Sequence, residues 1–96
     1  MIYIKHHNTD KGTIIALCDQ EILGQTIQHN GAKIKISEHF YKGELISSEK
    51  ARITQEYWQI NAFGEKAVQV VTDNIQNSSK SVIDIGGIPH IIIIRV

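Results

Sequence analysis

A run of four consecutive isoleucines, Ile91 to Ile94, limits the structures that this chain can adopt more than any other feature. Isoleucine is stiff at χ1 and favours strands. The run is far shorter than the roughly 18 apolar residues that a membrane-spanning helix needs. Four apolar residues in a row also cannot alternate with water. We therefore expect a final strand, His90 to Val96, that is covered on both faces or pairs with another subunit.

The rest of the composition is that of an ordinary globular domain. Isoleucine makes up about a fifth of the 96 residues, hydrophobic residues 42% and charged residues 21%, so disorder is not expected. One proline and the lack of low-complexity tracts leave no obvious linker. We therefore expect a single compact α+β domain over residues 1–96.

Charge and cysteine content exclude several classes of protein. Ten basic and ten acidic residues give a formal net charge of zero, so no overall field draws the chain to nucleic acid or membrane. The single cysteine, Cys18, excludes an internal disulfide and a multi-cysteine metal site. The N-terminus has no signal-peptide core. These features favour a cytoplasmic protein with no membrane partner, cofactor or metal.

Alternating side chains and turn residues predict two hairpins. Ile2 to Lys5 alternates apolar and polar residues, and Thr13 to Cys18 is typical of a buried strand antiparallel to it. The Asn30-Gly31 pair favours a tight turn between the strands Thr26 to Gln28 and Ala32 to Ile36.

The middle of the chain predicts two consecutive helices. Ser47 or Ser48 can cap a helix that runs to about Ile60, and Asn61 can cap a second helix that runs to about Ile75. Apolar residues in both segments recur at helical spacing. The fold class expected is therefore α+β, a small mainly antiparallel sheet with two consecutive helices packed on one face.

Shorter elements complete the prediction. Asp19 can cap a single turn through Leu23, and Ser37 can cap another. Val82 to Ile85 is typical of a short strand before the Gly86-Gly87 bend.

The segment after this strand is the first candidate for ligand binding. Gly86 and Gly87 permit positive φ and close approach to a ligand, and Pro89 holds the chain before His90, which can titrate near neutrality. The alternative is a simple bend between strands with a half-exposed histidine.

Phe40, Tyr41 and Glu44 form a second candidate. The aromatic rings could stack on a base, and the Glu44 carboxylate could accept a hydrogen bond. Alternatively, Phe40 anchors a loop to the core while Tyr41 and Glu44 are solvated.

A third candidate is a basic face for RNA. Tyr3, Lys5, Lys33 and Lys35 could share the solvent side of one sheet, where lysines would contact phosphates and tyrosine would stack on a base. The alternative is an ordinary solvated face on which lysines protect a sheet edge.

No catalytic or metal-binding residue is expected. Cys18 ends an apolar strand and is interpreted as structural, although Asp19 beside it superficially resembles part of a nucleophile set. His6 and His7 are adjacent, so on a strand they point to opposite faces and cannot share a metal.

Several segments together resemble the archaeal family known as domain of unknown function 424. In order along the chain they are Met1 to Lys5, Ala16 to Asp19, Leu23-Gly24, Ser37 to Leu45, Gly64 to Val68 and Gly86 to His90. They span nearly the whole chain. The polar stretch from Asn74 to Lys80 departs from the family pattern.

The resemblance implies an archaeal cytoplasmic protein of about this length, a translation setting and no established activity. Three hypotheses follow. The first is a non-catalytic binding module for RNA or ribonucleoprotein. The second is a protein-interaction module or homodimer without nucleic acid. The third is a small ligand-binding protein or enzyme that uses Gly86, Gly87 and His90 together with Glu44.

Overall fold

The computed structural model describes residues 1–95 and has the expected α+β composition. The strands are β1 (Ile2–Thr9), β2 (Gly12–Asp19), β3 (Thr26–His29), β4 (Ala32–Lys35), β5 (Glu44–Ile46), β6 (Gln59–Phe63), β7 (Ile83–Ile85) and β8 (Ile88–Ile94). The helices are α1 (Glu38–Tyr41) and α2 (Glu65–Asn74), with 3₁₀ turns at Gln20–Ile22 and Ser78–Ser81. Val96, the last residue of the expected final strand, lies outside the described residues.

The strands form one large sheet and one separate hairpin. The large sheet has the order β5-β1-β2-β6-β8-β7, and β3 pairs only with β4. Both predicted hairpins are confirmed, and Asn30 and Gly31 have the positive φ values, 51° and 80°, that a type I′ turn requires. The large sheet is mixed, because β2 and β6 are parallel while its other strand pairs are antiparallel. The long connection from β2 to β6 makes this parallel pair possible.

The two predicted consecutive helices are wrong in part. Residues 47–58 form neither helix nor strand, and Ile60 lies in β6 between β2 and β8. The apolar residues of the segment from Ser47 to Ile60 recur at helical spacing, which does not by itself establish a helix. Ile60 is β-branched, and such side chains have weak helix propensity and pack well in a sheet. The second helix is confirmed from Glu65, whereas its expected cap, Asn61, lies in β6. Strands β5 and β6 separate α1 from α2.

The large sheet has two differently covered faces. On the helix face, α2 and the 47–58 segment cover a core that includes Leu17, Ile60 and Ile91. On the hairpin face, Ala16, Cys18 and Phe63 pack against side chains from α1 and from the segment around β3 and β4. No helix within residues 1–95 has the length and hydropathy needed to cross a membrane.

The isoleucine run of β8 alternates between these faces. Ile91 is fully buried on the helix face and Ile93 packs beside it, whereas Ile92 and Ile94 are 44% and 53% exposed. Of the two alternatives expected for this strand, cover of both faces within one chain is therefore wrong, and pairing with another subunit stays a prediction. The side chains that cover the hairpin face pack around Phe63, which lies opposite His90, and β8 continues past that position as far as Ile94.

Candidate functional site

The Gly86-Gly87 turn makes its close contacts within the protein. Both glycines have positive φ, 60° and 88°, and they connect β7 to β8. The Gly86 amide donates to His29 Nδ1 at 3.0 Å, and the Gly87 amide donates to Asp84 Oδ2 at 3.3 Å. A Cβ at Gly86 would lie 2.8 Å from the Gln28 carbonyl oxygen. The turn therefore holds the β3–β4 hairpin, which favours a structural bend over a phosphate-binding loop.

His90 is buried, and it joins a polar network that includes another sequence candidate. Its Nε2 lies 3.0 Å from Asn61 Oδ1, which also accepts a hydrogen bond from the Tyr41 hydroxyl at 2.5 Å. The Phe63 ring packs edge-on against the His90 ring, with centroids 4.7 Å apart. Since the Asn61 oxygen accepts, His90 Nε2 must donate, and Nδ1 carries the lone pair. Among the residues described, that buried Nδ1 has no partner.

Burial keeps this network uncharged. It lowers the pKa of His90 and raises the pKa of Tyr41 far above its ordinary range. The expectation of a half-exposed histidine is therefore wrong. Sequence reasoning missed Asn61, which it assigned as a helix cap. The signal that could have found it is an isolated amide in the apolar segment Ile60 to Phe63.

The buried histidine leads to a pH prediction. The pKa of His90 lies below its ordinary value of 6.5, so below about pH 6.5 the unfolded chain takes up a proton that the folded chain resists. The free energy of unfolding should therefore fall as the pH falls through this range. His90→Gln removes the titration and keeps an N–H donor, so it should flatten the pH dependence in urea unfolding between about pH 8 and about pH 5. His39→Gln, the same substitution at an exposed site, controls for the loss of one histidine from the chain. An unchanged slope in His90→Gln would contradict this assignment.

Asp19 caps α2 and not the turn that follows it. Its carboxylate accepts the Ala67 amide at 2.7 Å and the Lys66 amide at 3.1 Å, and its side chain makes no cap hydrogen bond to its own 3₁₀ turn. Burial raises the pKa of Asp19, and the two backbone hydrogen bonds oppose that effect. The expected cap of the first turn is therefore wrong, and Asp19 serves to join the end of β2 to the start of α2.

Cys18 lies in the core of the hairpin face. It is fully buried, and its Sγ donates to the Asp19 carbonyl oxygen at 3.3 Å. Burial raises the pKa of Cys18 to about 12, so the thiol stays protonated at neutral pH. A buried and protonated thiol is a poor nucleophile, which agrees with a structural role.

Glu44 lies apart from the aromatic residues near it in sequence. It pairs with Ile4 across β5 and β1, which places it on the helix face. Phe40 stacks on the His7 ring at 4.8 Å and packs edge-on against Tyr41, on the hairpin face. The set of Gly86, Gly87 and His90 with Glu44 is therefore wrong as a single site, because the sheet separates Glu44 from His90.

The four residues of the expected basic face belong to two different sheets. Tyr3 and Lys5 lie in β1, whereas Lys33 and Lys35 are exposed on β4 of the separate hairpin. Lys5 Nζ donates to the His39 carbonyl oxygen at 2.6 Å. The premise of one shared sheet is wrong, since the β3–β4 hairpin does not join the large sheet. RNA binding by these residues stays a prediction.

One edge of the large sheet carries unpaired backbone groups. The Gly64 amide donates to the Pro89 carbonyl oxygen and the Arg95 amide donates to the Trp58 carbonyl oxygen, so the odd-numbered residues of β8 direct their backbone groups toward β6. Ile92 and Ile94 direct theirs to the opposite edge. There β7 pairs only as far as His90, and although the 3₁₀ turn Ser78–Ser81 lies against β8, within residues 1–95 no strand continues the ladder beyond β7.

Exposed isoleucines line the same edge. Ile83 lies directly opposite His90, so its side chain shares the hairpin face with those of Ile92 and Ile94. The three side chains are 54%, 44% and 53% exposed. Natural sheets usually protect edge strands with charges, proline or bulges, and uncharged isoleucine provides none of these. We call Ile83, Ile92, Ile94 and the unpaired backbone of β8 the β8 edge.

Comparison with known proteins gives a family and a structural relative. The family model described as Protein of unknown function (DUF424) matches residues 6–96, which confirms the resemblance inferred from the sequence. The fold is similar to a crystal structure of an uncharacterized conserved protein from Methanopyrus kandleri, with a TM-score of 0.85 and 31% sequence identity. That match covers 96% of this chain and 89% of the other. No curated protein matches the sequence.

Proposed function

The chain belongs to the family of proteins of unknown function DUF424, and we propose that it is a non-catalytic binding module whose β8 edge receives a second copy of the chain. The observation that carries this proposal is the unpaired, uncharged edge at Ile92 and Ile94. Strand addition at an exposed edge is a common mode of recognition, in which backbone hydrogen bonds supply affinity.

A second copy fits this edge because the edge is self-complementary. When two copies of β8 run antiparallel, Ile92 of each copy can lie opposite Ile94 of the other. Each such pair exchanges both backbone hydrogen bonds, and the contact has the two-fold symmetry of most dimers. Isoleucine would then face isoleucine, without like charges in opposition.

The other edge of the sheet is less suited to strand addition. The outer strands β5 and β7 each have three residues and one carboxylate, but β1 continues past β5 with the polar residues Lys5 to Thr9, whereas β8 continues past β7 with isoleucines. Charged side chains and short strands are the usual protection of sheet edges. This contrast supports β8 as the binding edge and makes Leu45, which is 41% exposed on β5, a suitable control position.

RNA binding is supported by fewer observations than the addition of a second copy at the β8 edge. Lys33 and Lys35 are exposed, and within residues 1–95 neither forms an ion pair with a carboxylate within 4 Å. Two lysines on one hairpin would give few phosphate contacts, and affinity for nucleic acid grows with the number of such contacts. Association with RNA or ribonucleoprotein in the cytoplasm is therefore the alternative to the dimer, and the two differ in their response to nuclease.

The test is the mass of the protein in solution as a function of its concentration. We expect the wild type to dimerise by analytical ultracentrifugation, and Ile92→Lys and Ile94→Lys to be monomers, because a charge at the edge opposes pairing with a second copy. Both positions are exposed, so the variants should fold, which circular dichroism checks. Leu45→Lys, the same change on the other edge, should dimerise like the wild type.

Three outcomes would contradict the proposal. A wild type that stays monomeric at all concentrations would exclude the second copy. Dimers that persist in Ile92→Lys and Ile94→Lys would place the contact elsewhere. A larger species that disappears on nuclease treatment would favour the RNA hypothesis, and a steep loss of the same species with rising salt would agree with lysine–phosphate contacts.

A further inference from the structure

The helix face carries a cleft of about 210 Å³ between β1, β5 and the 47–58 segment. Ile4, Ile15 and Leu17 line it from the sheet, and Ile46 and Ile53 add further apolar walls. Pockets for drug-sized ligands are about 300–1,000 Å³, so this cleft suits a smaller molecule with an aliphatic part.

Two opposite charges lie at the same cleft. Glu44 stands beside Ile4 on β5, and Arg52 comes from the 47–58 segment. Within residues 1–95, Glu44 and Arg52 do not form an ion pair within 4 Å, since the pair at that distance joins Lys66 to Glu21. The cleft thus offers one carboxylate and one guanidinium around an aliphatic interior, and its remaining polar lining is the His6 imidazole with the side chains of Thr54 and Gln55.

Arg52 is held in place by the segment that carries it. Its Nη1 donates to the carbonyl oxygens of Glu49 and Ala51, at 3.0 and 2.8 Å, which leaves its other N–H groups free for a ligand. Ala51 is buried on one side, and Ile53 packs against the core on the other. The Ile53 amide also donates to Asn74 Oδ1 at 3.3 Å, which ties the segment to α2.

We infer that this cleft binds a small zwitterion with a branched aliphatic group, the class of the aliphatic α-amino acids. The aliphatic group lies on Ile4 and Ile46, the carboxylate pairs with Arg52, and the ammonium group pairs with Glu44. A simple anion does not fit as well, because Glu44 repels it, and a simple amine meets the same difficulty at Arg52. A nucleotide is too large for a cleft of this volume.

The test uses four probes and follows the methyl signals of the protein by NMR. L-leucine carries both charges and the branched group, 4-methylpentanoate lacks the amine, 3-methylbutylamine lacks the carboxylate, and glycine lacks the aliphatic group. We expect saturable shifts at the methyl groups of Ile4, Ile15 and Ile46 with leucine. The two analogues with one charge should bind about 10- to 100-fold more weakly, as expected for the loss of a hydrogen-bonded charge. Glycine should cause no saturable shift.

Charge variants connect each probe to its residue. Arg52→Gln should weaken leucine and 4-methylpentanoate and leave 3-methylbutylamine no weaker, whereas Glu44→Gln should weaken leucine and 3-methylbutylamine and leave 4-methylpentanoate no weaker. Lys50→Gln and Glu49→Gln remove charges from the same segment outside the cleft lining and serve as controls. Both cleft variants change exposed residues, and their spectra report directly whether they fold.

Two results would overturn the inference. The first is that leucine causes no saturable shift at these methyl groups in a folded protein. The second is that all aliphatic probes bind equally well and neither charge variant changes their affinity, because the cleft would then be an apolar hole without charge recognition. Neither result depends on the dimer, since the cleft lies on the opposite face from Ile92 and Ile94.

Discussion

Gly64→Ala should lower the free energy of unfolding by about 2–5 kcal/mol, which is a large part of the stability of a small domain. Gly64 has φ 111° and ψ 157°, a region of backbone conformation essentially restricted to glycine. An added Cβ would lie 2.7 Å from Asp19 Oδ1. Either the backbone must move or Asp19 must release the amides of Lys66 and Ala67, and loss of a helix cap costs about 0.5–2 kcal/mol. Urea unfolding followed by circular dichroism measures the change.

A second glycine separates backbone strain from the close contact. Gly31 also has positive φ, 80°, but a Cβ there meets no atom within 4 Å. Gly31→Ala should therefore cost only the conformational part, about 1–2 kcal/mol. If Gly64→Ala were no more destabilising than Gly31→Ala, the contact with Asp19 would have no energetic weight and the cap would be easily rearranged.

The parts of the fold that were predictable depend on local sequence. The β1–β2 and β3–β4 hairpins follow from alternation and from turn residues within a few positions of each other. The register of β1 also follows, because Ile2 and Ile4 must face the core while Tyr3 and Lys5 face away. Such signals are complete within one short segment, and tertiary packing only has to agree with them.

The errors concern contacts between distant segments. Asn61 and Ile60 lie in a strand because β2 and β8 pair with it on either side. No residue close to them in sequence indicates that these two distant strands are their neighbours. The 47–58 segment buries Ala51 and partly buries Ile53 without regular structure, so its apolar spacing has the appearance of a helix. Periodicity reports which residues are buried more reliably than it reports the backbone that buries them.

The candidate sites show the same difference between features that are local in sequence and contacts between distant segments. The sequence pattern indicated Tyr41 and His90 as candidates. In the structure both contact Asn61, which was not among the candidates. The sequence pattern also indicated Glu44, but placed it with His90, because only the strand register reveals that Glu44 faces Ile4 on the other side of the sheet. Residue type indicates which groups can do chemistry, whereas register decides which of them meet.

Ile91→Ala should lower the free energy of unfolding by about 2–5 kcal/mol, since Ile91 is fully buried beneath α2 and pairs with Ala62 across β6. Truncation removes apolar contacts and leaves a cavity that the neighbouring strands cannot close. Chemical denaturation at a concentration where the protein is monomeric measures this cost without a contribution from association.

The next residue in the run provides the matched comparison. Ile92→Ala makes the same chemical change on the other face, where the side chain is 44% exposed, and in a monomer it should cost less than about 1 kcal/mol. If a second copy covers Ile92, raising the protein concentration should increase the stability of the wild type more than that of Ile92→Ala, because association stabilises the folded state by mass action. Equal costs for Ile91→Ala and Ile92→Ala in the monomer would contradict the alternation of β8. Parallel concentration dependence in the wild type and Ile92→Ala would instead show that Ile92 gains nothing from association, so the same two variants separate the core role of this strand from its role at the edge.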